Sequence, residues 1–293
     1  MTLVELNNLF ETEDECREYL ARLRWPEGVE CIRCKSKKFS RLLNQKKFEC
    51  SECSYQFSAT TGTIFHDTHL SLEKWLLTVF FMCESKKGIS ANQVKRMIGV
   101  TYKTAWYLCH RIRKAMEETN RKQLRGTVEV DETYIGGRYD KRRKRGPWEK
   151  QAVVGLLERD GRFEARKIAR PSRKVLVGVI KDRVSKDAKV FTDELAAYKA
   201  VETTHRHNTV NHSMEEWVRG TVHTNSVENA WSLFKRSIVG SYHQISRKHM
   251  DAYLDEFEWR FNNRHNGNLF RDTLQQLLAA PALEYKALTA KPA

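Results

Sequence analysis

Two cysteine pairs, Cys31-x2-Cys34 and Cys50-x2-Cys53, constrain this chain more than any other feature. The fifteen residues between them, Lys35 to Glu49, fall inside the spacing of a structural zinc ribbon. Each pair delivers two thiolates from one turn, and two turns complete a closed tetrahedral site that stabilises a fold and has no open position for catalysis. Zn2+ on Cys31, Cys34, Cys50 and Cys53 is therefore expected, with two disulfides as the alternative. The N-terminal MTLVELNNLFETEDECREYL has neither a basic nor an apolar leader stretch, and the seven cysteines are an odd number. Both features predict a reducing, cytoplasmic, nucleoid-associated setting, which favours metal over disulfides. Cys16, Cys83 and Cys109 lie in helix-like stretches and read as packed thiols.

A chain of 293 residues has room for two or three domains, and no run is long and apolar enough to span a bilayer. Its formal charge of +15 points to a polyanionic partner, the alternative being a basic surface that binds nothing. Thr12 and Glu15 have capping-box spacing ahead of a helix over 12–24. The runs KKFEC and YQFSA read as short strands around the metal. From Leu70 onward three helices follow, marked by Trp75, Leu76, Val79 and Phe80, then by ISANQVKRMIGV, then by TYKTAWYLCHRIRKAM, with Gly99 between the last two. That order is the order of a helix-turn-helix unit.

In the third of these helices Tyr102, Lys103, Arg111, Arg113 and Lys114 offer phosphate and base contacts, while Ala105, Leu108, Ile112 and Met116 face the core. It reads as a recognition helix in a major groove, beside a ribbon made basic by Lys35, Lys37, Lys38, Arg41, Lys46 and Lys47. The alternatives are a plain three-helix bundle and a ribbon that props its neighbours. Lys141, Arg142, Arg143, Lys144 and Arg145 form a basic loop, read as a DNA clamp or, alternatively, as a solvated charge run.

Gly126 opens a stretch of β-like runs at 127–135, 151–158, 162–169 and 188–192, with a helix-like VLVGVIKDRV between the last two, so an α/β or α+β core is expected. Asp131 and Asp193 each close such a run and Glu228 sits on a helix over 226–239. Three carboxylates from separate elements suit a pair of divalent ions about 4 Å apart, which drive in-line displacement at phosphorus. Glu228 and Lys235 are seven residues, two helical turns, apart and share a face; Arg236 is a further phosphate contact. Asn225-x-x-Glu228 is also a capping-box pattern, so a cap and a catalytic role compete for Glu228, and Asn225 is the reserve for the third position. Glu132 and Glu194 are reserve ligands that face away on their strands. His205, His207, His223 and His243 are available as phosphate contacts or acid/base groups, or are structural. A helix over 247–263 carries Met250, Leu254, Phe257 and Phe261 as a core stripe.

Trp25-Pro26-Glu27-Gly28, TGTIFHDTHLSLEKW, VEVDETYIGG, FTDELAAY, HTNSVENAWSLFKR, GSYHQIS and DEFEWRFNNR together resemble bacterial insertion-sequence transposases with an N-terminal zinc ribbon and a DDE-type catalytic domain, related to the Merlin transposons. The similarity runs from about residue 12 to about 265. It implies an α+β multidomain chain with a ribonuclease-H-like core, divided as ribbon 1–66, helix-turn-helix unit 67–122, catalytic domain 123–270 and tail 271–293. It also implies Asp131, Asp193 and Glu228 (or Asn225) followed by Lys235 as the catalytic set. Mg2+ or Mn2+ would be the cofactor, terminal inverted repeats and target DNA the partners, and a homo-oligomer the working form, with no membrane. The implied reaction is hydrolysis at the element ends and transfer of the freed 3′-hydroxyl to target DNA. A non-catalytic or domesticated DNA-binding protein, and a nuclease that cuts without joining, are the alternatives.

Overall fold

Thr2 and Thr12 each form a full capping box, with Glu5 and Glu15 respectively, and start helices α1 (Leu3–Leu9) and α2 (Glu13–Arg24). The computed structural model describes residues 1–136 and 150–290, and these divide into two compact units, Met1–Met116 with Asn266–Ala293, and Glu117–His265.

In the first unit, strands β1 (Phe39–Leu42), β2 (Lys47–Cys50) and β3 (Gln56–Phe57) form an antiparallel sheet in that order. The two cysteine turns repeat one geometry. Lys35 N donates to Cys31 O and Ser54 N to Cys50 O, both at 2.9 Å, with Lys35 and Ser54 left-handed at φ 63° and 53°. The ribbon is tied to α2 by Arg24, whose guanidinium donates to the carbonyls of Ser58, Ala59 and Thr61.

Helices α3 (Leu72–Glu84), α4 (Ala91–Ile98) and α5 (Tyr102–Ala115) follow in the expected order. Ser90 and Thr101 cap the last two, and Gly99 turns left-handed at φ 64° between them. Where the sequence offered only a tail, the chain forms α9 (Leu269–Ala279) and α10 (Tyr285–Thr289) within this same unit. Phe270, Leu274 and Leu277 of α9 are buried, α9 packs against α2, α3 and α5, and the Tyr285 ring meets Tyr107 of α5 edge-on at 5.4 Å.

The second unit is built on a five-stranded sheet of order β6-β5-β4-β7-β8. Here β4 (Thr127–Ile135), β5 (Gln151–Glu158) and β6 (Phe163–Ile168) run antiparallel, while β7 (Lys189–Thr192) and β8 (Arg206–Thr209) join parallel to β4. Helix α6 (Arg173–Arg183) makes the crossover, and its Leu176, Val179 and Ile180 pack with Val128, Val130 and Val190 on one face of the sheet. On the other face lie α7 (Asn225–Ser237) and α8 (Met250–Asn262), whose Val227, Trp231, Phe234, Met250, Leu254 and Phe257 pack with Val153 and Phe163. The chain is α+β, with the mixed sheet of a ribonuclease-H-like core. The short β8, sequence RHNT, lacks the apolar alternation that marks the other strands and was not expected.

Candidate active site and zinc centre

Strand β4 pairs with β7 so that Val128 faces Val190 and Glu129 faces Phe191. Continuing this register by two residues sets Asp131 opposite Asp193, one residue past the end of β7. Asp193 is held in a local turn, its Oδ1 accepting from Leu195 N at 3.1 Å. Glu228 comes from α7, with Oε1 accepting from the buried Thr224 hydroxyl at 2.7 Å. The neighbouring carboxylates act on Asp131: burial first, then the charges of Glu132, Asp193 and Glu228, push its carboxyl from an ordinary 3.8 up to about 8. An all-oxygen, mutually repelling donor set is the kind that a hard divalent ion such as Mg2+ or Mn2+ neutralises.

The reserve acids have hydrogen-bond partners of their own, although the charge of Glu132 also acts on Asp131. Glu132 accepts from the buried Tyr198 hydroxyl at 2.7 Å, and burial is the main cause that raises its pKa. Glu194 accepts from Ser213 N at 3.0 Å and Ser213 Oγ at 2.6 Å. His205 is buried against Thr204 Oγ1 at 2.9 Å, and His207 Nε2 lies 2.9 Å from Thr192 Oγ1, where burial lowers its pKa. His243 is exposed with φ 59°, and His223 Nδ1 lies 3.2 Å from Glu129 Oε1. Asn225 is exposed at the first residue of α7, and Lys235 and Arg236 are exposed about three turns further along it.

The capping box expected at Asn225 and Glu228 does not form. Thr224 stands at the cap position without a side-chain cap bond, and the free amides of Ser226 and Val227 donate instead to Glu129 of β4. Glu228 is thereby released from cap duty. Glu129 was missed in the sequence, although it lies two residues before Asp131 and so on the same face of β4. Gly155 was missed as well. It pairs with Asp131 across β4 and β5, and a Cβ placed there would lie 2.4 Å from the Trp231 ring.

Arg111 and Arg113 cannot serve as the phosphate contacts expected of them. They are only 6% and 1% exposed, and the Arg111 guanidinium donates to Ile64 O and, at 3.0 Å, to His66 O while lying over the Trp75 and Tyr107 rings. The reading as a two-faced helix failed because α3, α4 and α9 all pack on α5, which leaves little of its middle open. Lys103 and Lys114 are exposed, with Lys103 over the Tyr285 ring at 4.6 Å, and Lys95 and Arg96 of α4 are exposed too. Arg111→Ala is expected to destabilise the first unit by about 2–3 kcal/mol, read as a lower melting midpoint, because it strips the buried Ile64 carbonyl and the partly buried His66 carbonyl of their donor and removes a side chain packed on two rings. Lys141, Arg142, Arg143, Lys144 and Arg145 lie outside the described residues.

The four thiol sulfurs of Cys31, Cys34, Cys50 and Cys53 lie within 4.8 Å of one another, with Cys31–Cys53 at 3.7 Å and Cys34–Cys50 at 3.4 Å. A tetrahedral zinc with bonds of about 2.3 Å separates its sulfurs by roughly 3.8 Å, so the cluster fits structural Zn2+. None of the four is in a disulfide. Cys16, Cys83 and Cys109 are buried thiols, as expected, and burial lifts Cys16 to about 11. Cys34→Ser is expected to lower bound zinc well below one equivalent and to melt the ribbon, because metal binding free energy is folding free energy in such modules. Zinc analysis after dialysis checks this, and a full equivalent in the variant would exclude the four-cysteine site.

Residues 123–262 match the ISXO2-like transposase domain family, and residues 11–56 match the transposase zinc-ribbon domain family. A Halobacterium salinarum protein described as an uncharacterized protein in transposable element ISH50 is 29% identical over 274 residues, covering 86% of this chain and 91% of its own length. An uncharacterized transposase-like protein of Haemophilus influenzae is 32% identical over 89 residues, covering 30% of this chain and 71% of its own. The first of these relatives is archaeal, so the similarity is not confined to bacterial elements. No helix among the described residues is long and apolar enough to cross a membrane.

Proposed function

The chain belongs to the ISXO2-like transposase family, and from that premise we propose that it binds the terminal inverted repeats of an insertion sequence, cuts there and joins the cut ends to target DNA. The observation that carries the reading is that Asp193, just past the end of β7, and Glu228, in the first turn of α7, come near enough to Asp131 in the middle of β4 for their charges to raise its pKa. Their carboxylates would hold the divalent metal, and Asn225 borders the same helix end. When bound, the metal activates the attacking oxygen and stabilises charge on the leaving one.

The rest is positioning by the chain. Asp131 must be deprotonated to serve as a ligand, and a cation beside it favours that form. Lys235 and Arg236, exposed further along α7, offer contacts to the phosphates flanking the scissile bond. In the first step water attacks phosphorus, the bond to the 3′-oxygen breaks, and the element end is left with a 3′-hydroxyl. In the second that hydroxyl attacks a target phosphorus, its proton is lost, and a target 3′-oxygen leaves. The number of phosphodiester bonds is unchanged by the joining step.

Binding of the ends falls to the zinc ribbon and the helix-turn-helix, with Tyr102, Lys103 and Lys114 of α5 and Lys95 and Arg96 of α4 as exposed groups. Replacing Lys95 and Arg96 together by Ala is expected to reduce the salt slope of end binding by about two and to weaken it evenly across sequences. A working homo-oligomer that brings two ends together is part of the same reading. The test is a reaction with Mg2+ on labelled DNA carrying the flanking repeats, wild type beside Asp193→Asn, with a gel-shift control. Joined products from wild type alone support a transposase. Cleavage without joining would instead indicate a nuclease, and binding without cleavage a DNA-binding protein.

A further inference from the structure

The first amides of α7 are taken by a residue of another element. Glu129 of β4 is fully buried at 0% exposed, and its Oε2 accepts from Ser226 N at 2.8 Å and Val227 N at 3.1 Å. Its Oε1 accepts from Ser226 Oγ at 3.1 Å and from Arg159 Nε at 2.7 Å. Arg159 also donates to Thr221 O at 2.7 Å and His223 O at 3.1 Å, so one guanidinium holds both the carboxylate and the segment that enters the helix. A buried carboxylate is tolerated only when charge and lone pairs are answered, and here both oxygens are. The negative group also sits at the positive end of the helix.

A side-chain cap from Thr224 could have satisfied the same amides, but its hydroxyl donates to Glu228 instead, and a local cap would travel with its helix. Glu129 does not, because it is anchored in the middle of the sheet. It precedes Asp131 by two residues on β4 and shares its face, while Val227, which it binds, immediately precedes Glu228. One strand thus supplies both the aspartate of the site and the clamp on the helix bearing the third carboxylate.

We propose that Glu129, supported by Arg159, is a positioning residue of the carboxylate site, locking the start of α7 to β4 and so setting Glu228 against Asp131. This rests on the transposase reading for its purpose. Neither residue touches a reacting atom. Loss of the clamp lets the helix start drift, and the three carboxylates then hold a divalent ion less tightly.

The test is Glu129→Gln in the full-length, zinc-loaded chain. An amide presents its NH2 either to the Ser226 and Val227 amides or to Arg159, so one set of bonds must break. Manganese affinity, read from the electron paramagnetic resonance of free Mn2+, is expected to weaken by about tenfold or more. Amide exchange at Ser226 and Val227 is expected to accelerate by about the same factor. The Mg2+ concentration giving half-maximal cleavage is expected to rise in proportion to the affinity change.

A role in stability alone would lower the fraction of competent sites and leave their metal affinity unchanged. A folded Glu129→Gln protein with wild-type Mn2+ affinity therefore overturns the proposal. If that variant does not fold, Arg159→Gln decides in its place: weakened Mn2+ affinity supports the clamp, and unchanged affinity overturns it. Wild-type protein that binds Mn2+ but never cleaves DNA would fail the transposase reading, while the Mn2+ affinities of the variants still judge the clamp.

Discussion

Asp131→Asn is expected to abolish cleavage and joining while making the metal-free protein more stable at pH 8. The two effects have one cause. In the folded protein without metal, burial and three neighbouring carboxylates raise Asp131 to about 8, against 3.8 for an ordinary aspartate. Between these values the folded state binds more protons than the unfolded state, so stability is lost as pH rises from about 4 toward 8. Asparagine removes the buried charge and with it this loss. A shift of such size makes a gain of at least about 5 °C in melting midpoint reasonable at pH 8, with little difference near pH 4. The same proton competes with metal. Below pH 8 the wild-type affinity for Mg2+ should therefore rise about tenfold per pH unit, with release of about one proton. Melting curves in chelator and Mg2+ titrations at several pH values measure both. An Asn variant no more stable than wild type at pH 8 would show that the carboxylates are not crowded.

Gly155→Ala is expected to cost about 1–3 kcal/mol of stability in the second unit and to slow cleavage by roughly a hundredfold in protein that is still folded. The added Cβ would meet Trp231 Cζ2 at 2.4 Å, Trp231 Cε2 at 2.9 Å and Phe163 Cε2 at 3.0 Å. Those rings are packed in the core between the sheet and α7, so the methyl group must lift the helix at Trp231, one turn from Glu228. Gly155 is thus absent of side chain for reach and not for backbone freedom. Trp231→Phe in the Gly155→Ala background should recover part of both losses, since the smaller ring vacates the contested space. Melting and cleavage rates of the two single variants and the double variant measure the coupling, and strict additivity would show that the contact does not set the height of the helix.

Much of this architecture was legible because its signals are local. The cysteine spacing, the capping box at Thr12, Gly99 between two helices and the apolar alternation of β4 and β5 each depend on neighbours a few residues apart. Asp193 was readable as a strand-end acid for the same reason, whereas Asp131, expected to close its strand, lies in the middle of β4, which runs on to Ile135. What escaped is non-local. Arg111 and Arg113 look like exposed recognition-helix cations until a helix from the far end of the chain packs on α5. The capping pattern at Asn225 and Glu228 was chemically sound, yet Glu129, nearly a hundred residues earlier, supplies the bonds instead. Gly155 reads as a weak spot in a strand unless the Trp231 ring is known to cross it. Pattern reading found the elements and proposed the acids Asp131, Asp193 and Glu228, whereas the residues that fix their spacing depend on which faces meet.

The first unit is assembled from both ends of the chain, residues 1–116 and 266–293, with the whole second unit between them. On the ribosome this imposes an order. Residues 117–265 can emerge and fold while the first unit still lacks α9, so the surface of α3 and α5 that Phe270, Leu274 and Leu277 will cover stays open to solvent until α9 has been made. A ribosome that stalls or a message that breaks after residue 265 would thus release a chain with its carboxylates in place and its N-terminal unit unfinished and adhesive. Translation of α9 is thus the closing step of the first unit: only a chain that carries this helix owns a sealed N-terminal unit.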